Sequence, residues 1–203
     1  TQRQIGKVQE LALGYGGGYG AFASMAKNYG IVVLEKDETS DDPKAISFDK
    51  ANEIKDAWRA AHPRIVAFWR ALQEAAIAAV GQRDKAFRAG PISYQMHRLH
   101  SGHDVLYCRL PNGRCLAYFR PHMARKVKFG KMQDALCYWG MQQKPGKPKI
   151  WTTIDLYGGL LAENVTQAVA RDILSDTMLY RVTIDGNRAV RIALHVQIGR
   201  AHV

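Results

Sequence analysis

The chain has 203 residues, 47% of them hydrophobic and 23% charged, which excludes a disordered or fibrous polypeptide and leaves room for one domain with a sizeable core or two small ones. Its formal net charge of +11 suits a polyanionic partner, either nucleic acid or an acidic membrane surface, or else serves solubility alone. No apolar run is long enough to cross a bilayer, and the polar stretch Thr1–Glu10 does not read as a secretory signal.

Thr1 to Leu13 is patterned as a helix, which the run Gly14-Tyr15-Gly16-Gly17-Gly18-Tyr19-Gly20 breaks. A short helix follows over Ala21–Tyr29, then an acidic surface loop over Lys36–Pro43. Two more helices are expected at Asp49–His62 and Pro63–Val80, with Pro63 suited to a first turn. Ile65, Phe68, Trp69, Leu72, Ala76 and Val80 give the latter a core-facing stripe. From Ile92 the pattern turns to strands. Val105–Leu110 and Arg114–Phe119 flank Pro111-Asn112-Gly113 as a hairpin. Short strands are expected at Lys126–Phe129, Ala135–Trp139 and Lys149–Leu156, a long helix at Leu160–Arg181, and a last strand at Ala189–Val196. Helices followed by strands and a closing helix make the fold class α+β. Cys108, Cys115 and Cys137 contain no Cys-x-x-Cys pair and are expected as free thiols in a reducing cytoplasm. His97, His100 and His103 recur every third residue in a strand–turn region, which gives them no common face for a metal.

Arg3, Lys7, Leu11 and Tyr15 are each four residues apart, so on a helix they form one slowly turning stripe. Two cations at one end and an aromatic ring at the other suit a nucleoside triphosphate: Arg as a fork and Lys as a point charge on phosphate oxygens, Tyr as a flat face for a base. A solvated basic helix face is the plainer alternative. The glycines fit a dinucleotide-binding loop only loosely, because a helix and not a strand precedes them. They are expected instead to form a flexible end on which the helix swings.

The stretch from Arg3 through Lys7, Leu11, Tyr15 and Gly16 resembles motif B, the O helix of family A DNA polymerases, whose pattern is Arg-x3-Lys-x3-aromatic-x3-Tyr-Gly. Gly20-Ala21-Phe22 is similar to the ending of the glycine-rich run in the phage branch. Leu11 replaces the aromatic residue that in the family packs by the sugar of the incoming nucleotide. A second stretch, Tyr157-Gly158-Gly159 through Glu163-Asn164, Gln167-Ala168 and Ala170-Arg171-Asp172, resembles the phage segment Tyr-Gly-Gly-x-x-x-Glu-Asn-x-x-Gln-Ala-x-Ala-Arg-Asp. Asn164, Gln167 and Arg171 share a helix face, from which amides can meet the nearly sequence-independent minor groove. The resemblance implies a DNA contact for Gln167 and Asn164, whereas Arg171 and Asp172 suit DNA or structural pairing equally.

The resemblance implies fingers helices with a β-hairpin insertion over residues 1–150 and part of an antiparallel palm sheet over 151–196. It implies nucleotide binding by Arg3, Lys7, Leu11, Tyr15 and Gly16, with primer–template DNA and deoxynucleoside triphosphates as partners. The implied setting is the cytoplasm of an infected bacterial cell, with no membrane partner. Family catalysis uses two Mg2+ ions on palm aspartates. One of these aspartates lies upstream of the O helix. The other lies in a His-Asp-Glu motif after a strand like Ile192–Val196, where this chain has Gln197-Ile198-Gly199. The chain is therefore expected to be a fragment without catalytic or metal-binding residues and without polymerase activity of its own. Gln197–Val203 matches the translation of a widely used sequencing adapter and is expected to be an artefact, a divergent natural tail being the other reading. The competing function is a non-catalytic nucleic-acid-binding module.

Overall fold

A computed structural model of the chain describes residues 2–128, 130–143 and 146–184. Among these residues the fold is α+β, with five helices and a six-stranded antiparallel sheet. The chain forms two compact units. One comprises the described residues up to Gln73 with Tyr157–Ala162, the other Glu74–Leu156 with the described residues from Glu163 onward. The expected strand at Ala189–Val196 and the tail Gln197–Val203 lie outside the described residues.

The first unit is helical. Helix α1 (Gln2–Leu13) buries Val8, Ala12 and Leu13, while α2 (Tyr19–Asn28) buries Phe22 and Ala26. Ser47 caps α3 (Phe48–Ala61) by accepting from the Lys50 amide, one of the donors that a helix start leaves unpaired. Pro63 opens α4 (Pro63–Gly81), where its missing N–H costs no helical hydrogen bond. The Trp58 indole donates to Glu10 at 3.0 Å and lies nearly parallel to Trp69, with 6.0 Å between ring centroids. This ties α1, α3 and α4 together by a long-range polar contact inside an aromatic cluster.

The glycines have backbone reasons for their places. Gly16 has φ +77°, and its N–H closes onto the Leu13 carbonyl at 3.0 Å, the left-handed ending that glycine adopts without strain. A Cβ on Gly159 would lie 1.9 Å from the Tyr15 carbonyl oxygen, and one on Gly158 would lie 2.3 Å from that of Trp69. The Tyr157-Gly158-Gly159 segment is thus where three stretches of backbone meet at contact distance. Gly159→Ala is expected to destabilise the chain by about 1–3 kcal/mol, the usual range for overpacking. Gly6→Ala, with open space around it, is expected to stabilise by about 0.5–1 kcal/mol. Urea denaturation midpoints check both, and equal midpoints for the two variants would contradict the packing argument.

The second unit holds the sheet: β1 (Phe87–Ala89), β2 (Ile92–Arg98), β3 (Asp104–Arg109), β4 (Cys115–Lys128), β5 (Lys131–Gln142) and β6 (Ile150–Asp155). The strands pair in chain order, all antiparallel. The expected hairpin joins β3 to β4, with Gly113 at φ +88° and the Leu110 amide bonded to the Arg114 carbonyl at 2.8 Å. The separate strand expected at Lys126–Phe129 is instead the end of one long strand. β4 runs through Pro121 because a register shift between Phe119 and His122 takes up the residue that cannot donate. β5 likewise starts at Lys131, well before the expected Ala135.

Tyr94, Met96, Leu106, Cys108, Tyr118 and Leu136 lie on one face of the sheet by register, and all are buried. Helix α5 (Gly158–Ile184) adds buried Val165 and Ala168. It is joined to the sheet by the Asn164 amide, which donates to the Tyr118 hydroxyl at 3.1 Å. Burial, above all, pushes the Cys108 thiol up from 9.0 to about 11, and raises the Tyr94 and Tyr118 hydroxyls above their usual range. Each group holds its proton more tightly folded than unfolded. Its contribution is complete below its unfolded value and is lost as pH rises toward the folded one. The sheet unit should therefore weaken progressively as pH rises past the 9.0 at which an unfolded Cys108 is half ionised. Urea midpoints at about pH 8 and about pH 10.5 measure this, and equal values would contradict it.

Candidate nucleotide and nucleic-acid interface

Arg3, Lys7 and Leu11 lie on α1, whose buried residues are Val8, Ala12 and Leu13, and Tyr15 lies in the turn that follows it. Arg3 and Lys7 are exposed, Leu11 is 53% exposed despite being apolar, and Tyr15 is half-buried near the helix end. Among the described residues no ion pair engages Arg3 or Lys7. Together with Gln4 and Tyr29 these two cations line an open groove of about 450 Å³. The first turn of α1 carries no acidic residue, so the positive end of the helix dipole adds to the cations. The arrangement attracts an anion of several oxygens. Tyr29, the residue that closes α2, and Gln4 were not legible as groove residues, because Tyr29 is brought to α1 only by the fold.

Asn164, Gln167, Arg171 and Asp172 of the second motif lie in the sheet unit and divide by environment. Asn164 is half-buried and gives its amide to Tyr118. Gln167 is exposed, its amide donating to Glu163 at 3.2 Å within the helix. Arg171 is exposed. Asp172 is held by Arg114, whose Nε donates to it at 2.8 Å while Nη2 donates to the Ala168 carbonyl at 3.1 Å. Of the two roles left open by the sequence for Asp172, the pair with the hairpin residue Arg114 is the one formed in this structure.

Among the described residues no cluster of three or more His, Cys, Asp or Glu is able to hold a metal ion. Asp155 bonds the Lys126 ammonium, and Asp172 is taken by Arg114. The described carboxylates therefore do not fit the two-magnesium arrangement that the resemblance implies. His97 and His103 meet rings edge-on, Tyr107 at 5.3 Å and Phe119 at 5.2 Å. Cys108 and Cys137 are buried free thiols, and Cys115 is an exposed one.

Over 182 residues, 87% of this chain, the sequence is 40% identical to the DNA polymerase of Bacillus phage SP02. The match covers 24% of that protein, so the chain spans about a quarter of the relative's length. No family profile matches the chain, and no solved structure matches it. Among the described residues no helix is long and apolar enough to cross a membrane.

Arg114→Ala would leave the partly buried Asp172 carboxylate without its cation, and one Asp172 oxygen already lacks a partner. The expected loss is about 1–3 kcal/mol, seen as a lower melting temperature. An unchanged melt would show that the pair contributes nothing.

Proposed function

We propose that this chain carries the nucleotide-gripping fingers, over residues 1–150, and part of the palm, over 151–196, of a phage-type family A DNA polymerase. The parent enzyme adds deoxynucleotides to a primer 3′ end during phage DNA replication in the infected bacterial cell. The observation that carries this reading is the pair of unpaired cations, Arg3 and Lys7, beside an open groove on the helix that is followed by Tyr15-Gly16 at motif spacing. The 40% identity to a phage protein named DNA polymerase supports it.

Arg3 grips two phosphate oxygens as a planar fork, and Lys7 adds a mobile point charge. Leu11, apolar yet exposed, gains by covering the sugar, and Tyr15 offers a flat face to the base or shuts the insertion slot. Gly16 provides the left-handed joint at the end of the helix. Gln167 and Arg171 reach the primer–template from α5, with Asn164 supporting them through its bond to Tyr118. Two Mg2+ ions, held by aspartates of the parent enzyme, supply activation of the primer hydroxyl and stabilisation of pyrophosphate.

Equilibrium binding to the 203-residue chain tests the assignment. Lys7→Ala should weaken deoxynucleoside triphosphate binding about tenfold to a hundredfold, the range for one charge-assisted contact, and leave primer–template affinity nearly unchanged. Gln167→Ala should do the reverse, with a loss of several-fold. Uniform loss of DNA affinity in Lys7→Ala, with triphosphate affinity untouched, would replace the polymerase reading with a backbone-binding module.

A further inference from the structure

The sheet has a second face whose composition neither motif explains. By register, Tyr107, Phe119, Trp139 and Trp151 all project from the side opposite the buried Tyr94–Leu106–Tyr118 face. One comes from each of β3, β4, β5 and β6. Among the described residues of this face only Val105, Ala135 and Cys137 are buried, and Trp151 is 52% exposed. An antiparallel sheet with one solvated face ordinarily carries polar side chains there, so four large rings are a departure. The rings are also arranged. His103 meets Phe119 edge-on at 5.2 Å, Phe119 lies 6.1 Å from Trp151, and the Arg120 guanidinium lies 6.0 Å from the Trp139 ring centroid.

Charge is concentrated in the same stretch of chain, on its strands and the loops between them. Between Phe87 and Asp155 the sequence has twelve Lys and Arg against three Asp and Glu, a net of +9 out of +11 for the whole chain. Each of those three carboxylates already has a cation: Asp104 has Arg83, Asp134 has Arg125 and Asp155 has Lys126. The surplus is therefore nearly all cationic. Arg120 is placed deliberately by the backbone. It sits at the register shift of β4 with φ +48°, a conformation that is costly for an arginine. The bulge forms a pocket of about 410 Å³ whose lining includes His103, Arg120, His122 and Trp139.

We infer that this face is a stacking platform for an unpaired nucleic-acid strand, with bases on Trp151, Phe119 and Trp139 and phosphates on Arg120 and its basic neighbours. The aromatic faces select the ligand. Unpaired bases offer flat surfaces to exposed rings, whereas the bases of a duplex are already stacked on one another. The surplus charge adds affinity that tracks the backbone whatever the sequence. The inference rests on the sheet alone and shares no residue with the groove on α1.

The test uses the 203-residue chain with a short thymidine oligomer, a uridine oligomer, a duplex of equal length and polyglutamate. The single strand should quench tryptophan fluorescence and bind more tightly than the duplex. Trp151→Ala, an exposed position, should weaken it about fivefold or more, as loss of one stacking partner does. Arg120→Gly keeps the backbone conformation while removing the cation, and should flatten the salt dependence by about one phosphate contact. Both variants should melt like the parent chain. Binding of either the thymidine or the uridine oligomer supports the platform and tells whether the sugar is read. Equal affinity for strand and duplex, preference for polyglutamate, or undiminished strand binding by folded Trp151→Ala would overturn it.

Discussion

The helical unit depends on a place where side chains are absent. The Tyr15 and Trp69 carbonyls come so close to Gly159 and Gly158 that a single methyl group at either glycine has no room. Backbone therefore packs on backbone where the end of α1, the middle of α4 and the start of α5 meet. Such a contact has no rotamers through which to relax, so it fixes the position of α1 more firmly than interdigitated side chains would. The indole of Trp58, bonded to Glu10, holds the same helix nearer its middle. With its inward face held this way, α1 is free to leave Arg3, Lys7 and Leu11 in solvent.

That exposure is what supports the proposed binding role of α1 over that of an ordinary surface helix. Cations on a solvated face usually have carboxylates three or four residues away, as Lys50 has Glu53 in α3. Arg3 has no carboxylate within four residues on α1, and the one that Lys7 has, Glu10, accepts from the Trp58 indole and makes no ion pair with it; an exposed leucine follows them. Charge without a partner and apolar surface without cover, side by side, fit a ligand with an anionic end and a less polar body. A nucleoside triphosphate has that form.

Much of the fold was legible in local pattern. The helices α1 to α4 fall within two residues of where glycine breaks, proline and apolar spacing put them, and Pro111-Asn112-Gly113 gave the hairpin. The continuity of β4 was not legible. Pro121 carries the ordinary signal for the end of a strand, and only pairing with β5, which tolerates a bulge, keeps the strand going. The site was partly legible. Spacing on a helix is a local property, so the α1 stripe could be read directly. The partners of Asn164 and Asp172 lie 46 and 58 residues away, and no local pattern encodes such distances. Tyr157-Gly158-Gly159 was legible as a motif, but its reason is the backbone contact it permits.

The order of the strands has a consequence for how the molecule forms. Each strand pairs with the next in the chain, so every closure is short, and the loop entropy to be overcome is small compared with that of sheets built from distant segments. The whole ladder is specified by Asp155, before any residue of α5 has been made. Tyr118, on the buried face of that ladder, takes its Asn164 partner only from α5. The hydrogen-bonded meander is thus complete in sequence before the helix that also brings buried Val165 and Ala168 to the same unit.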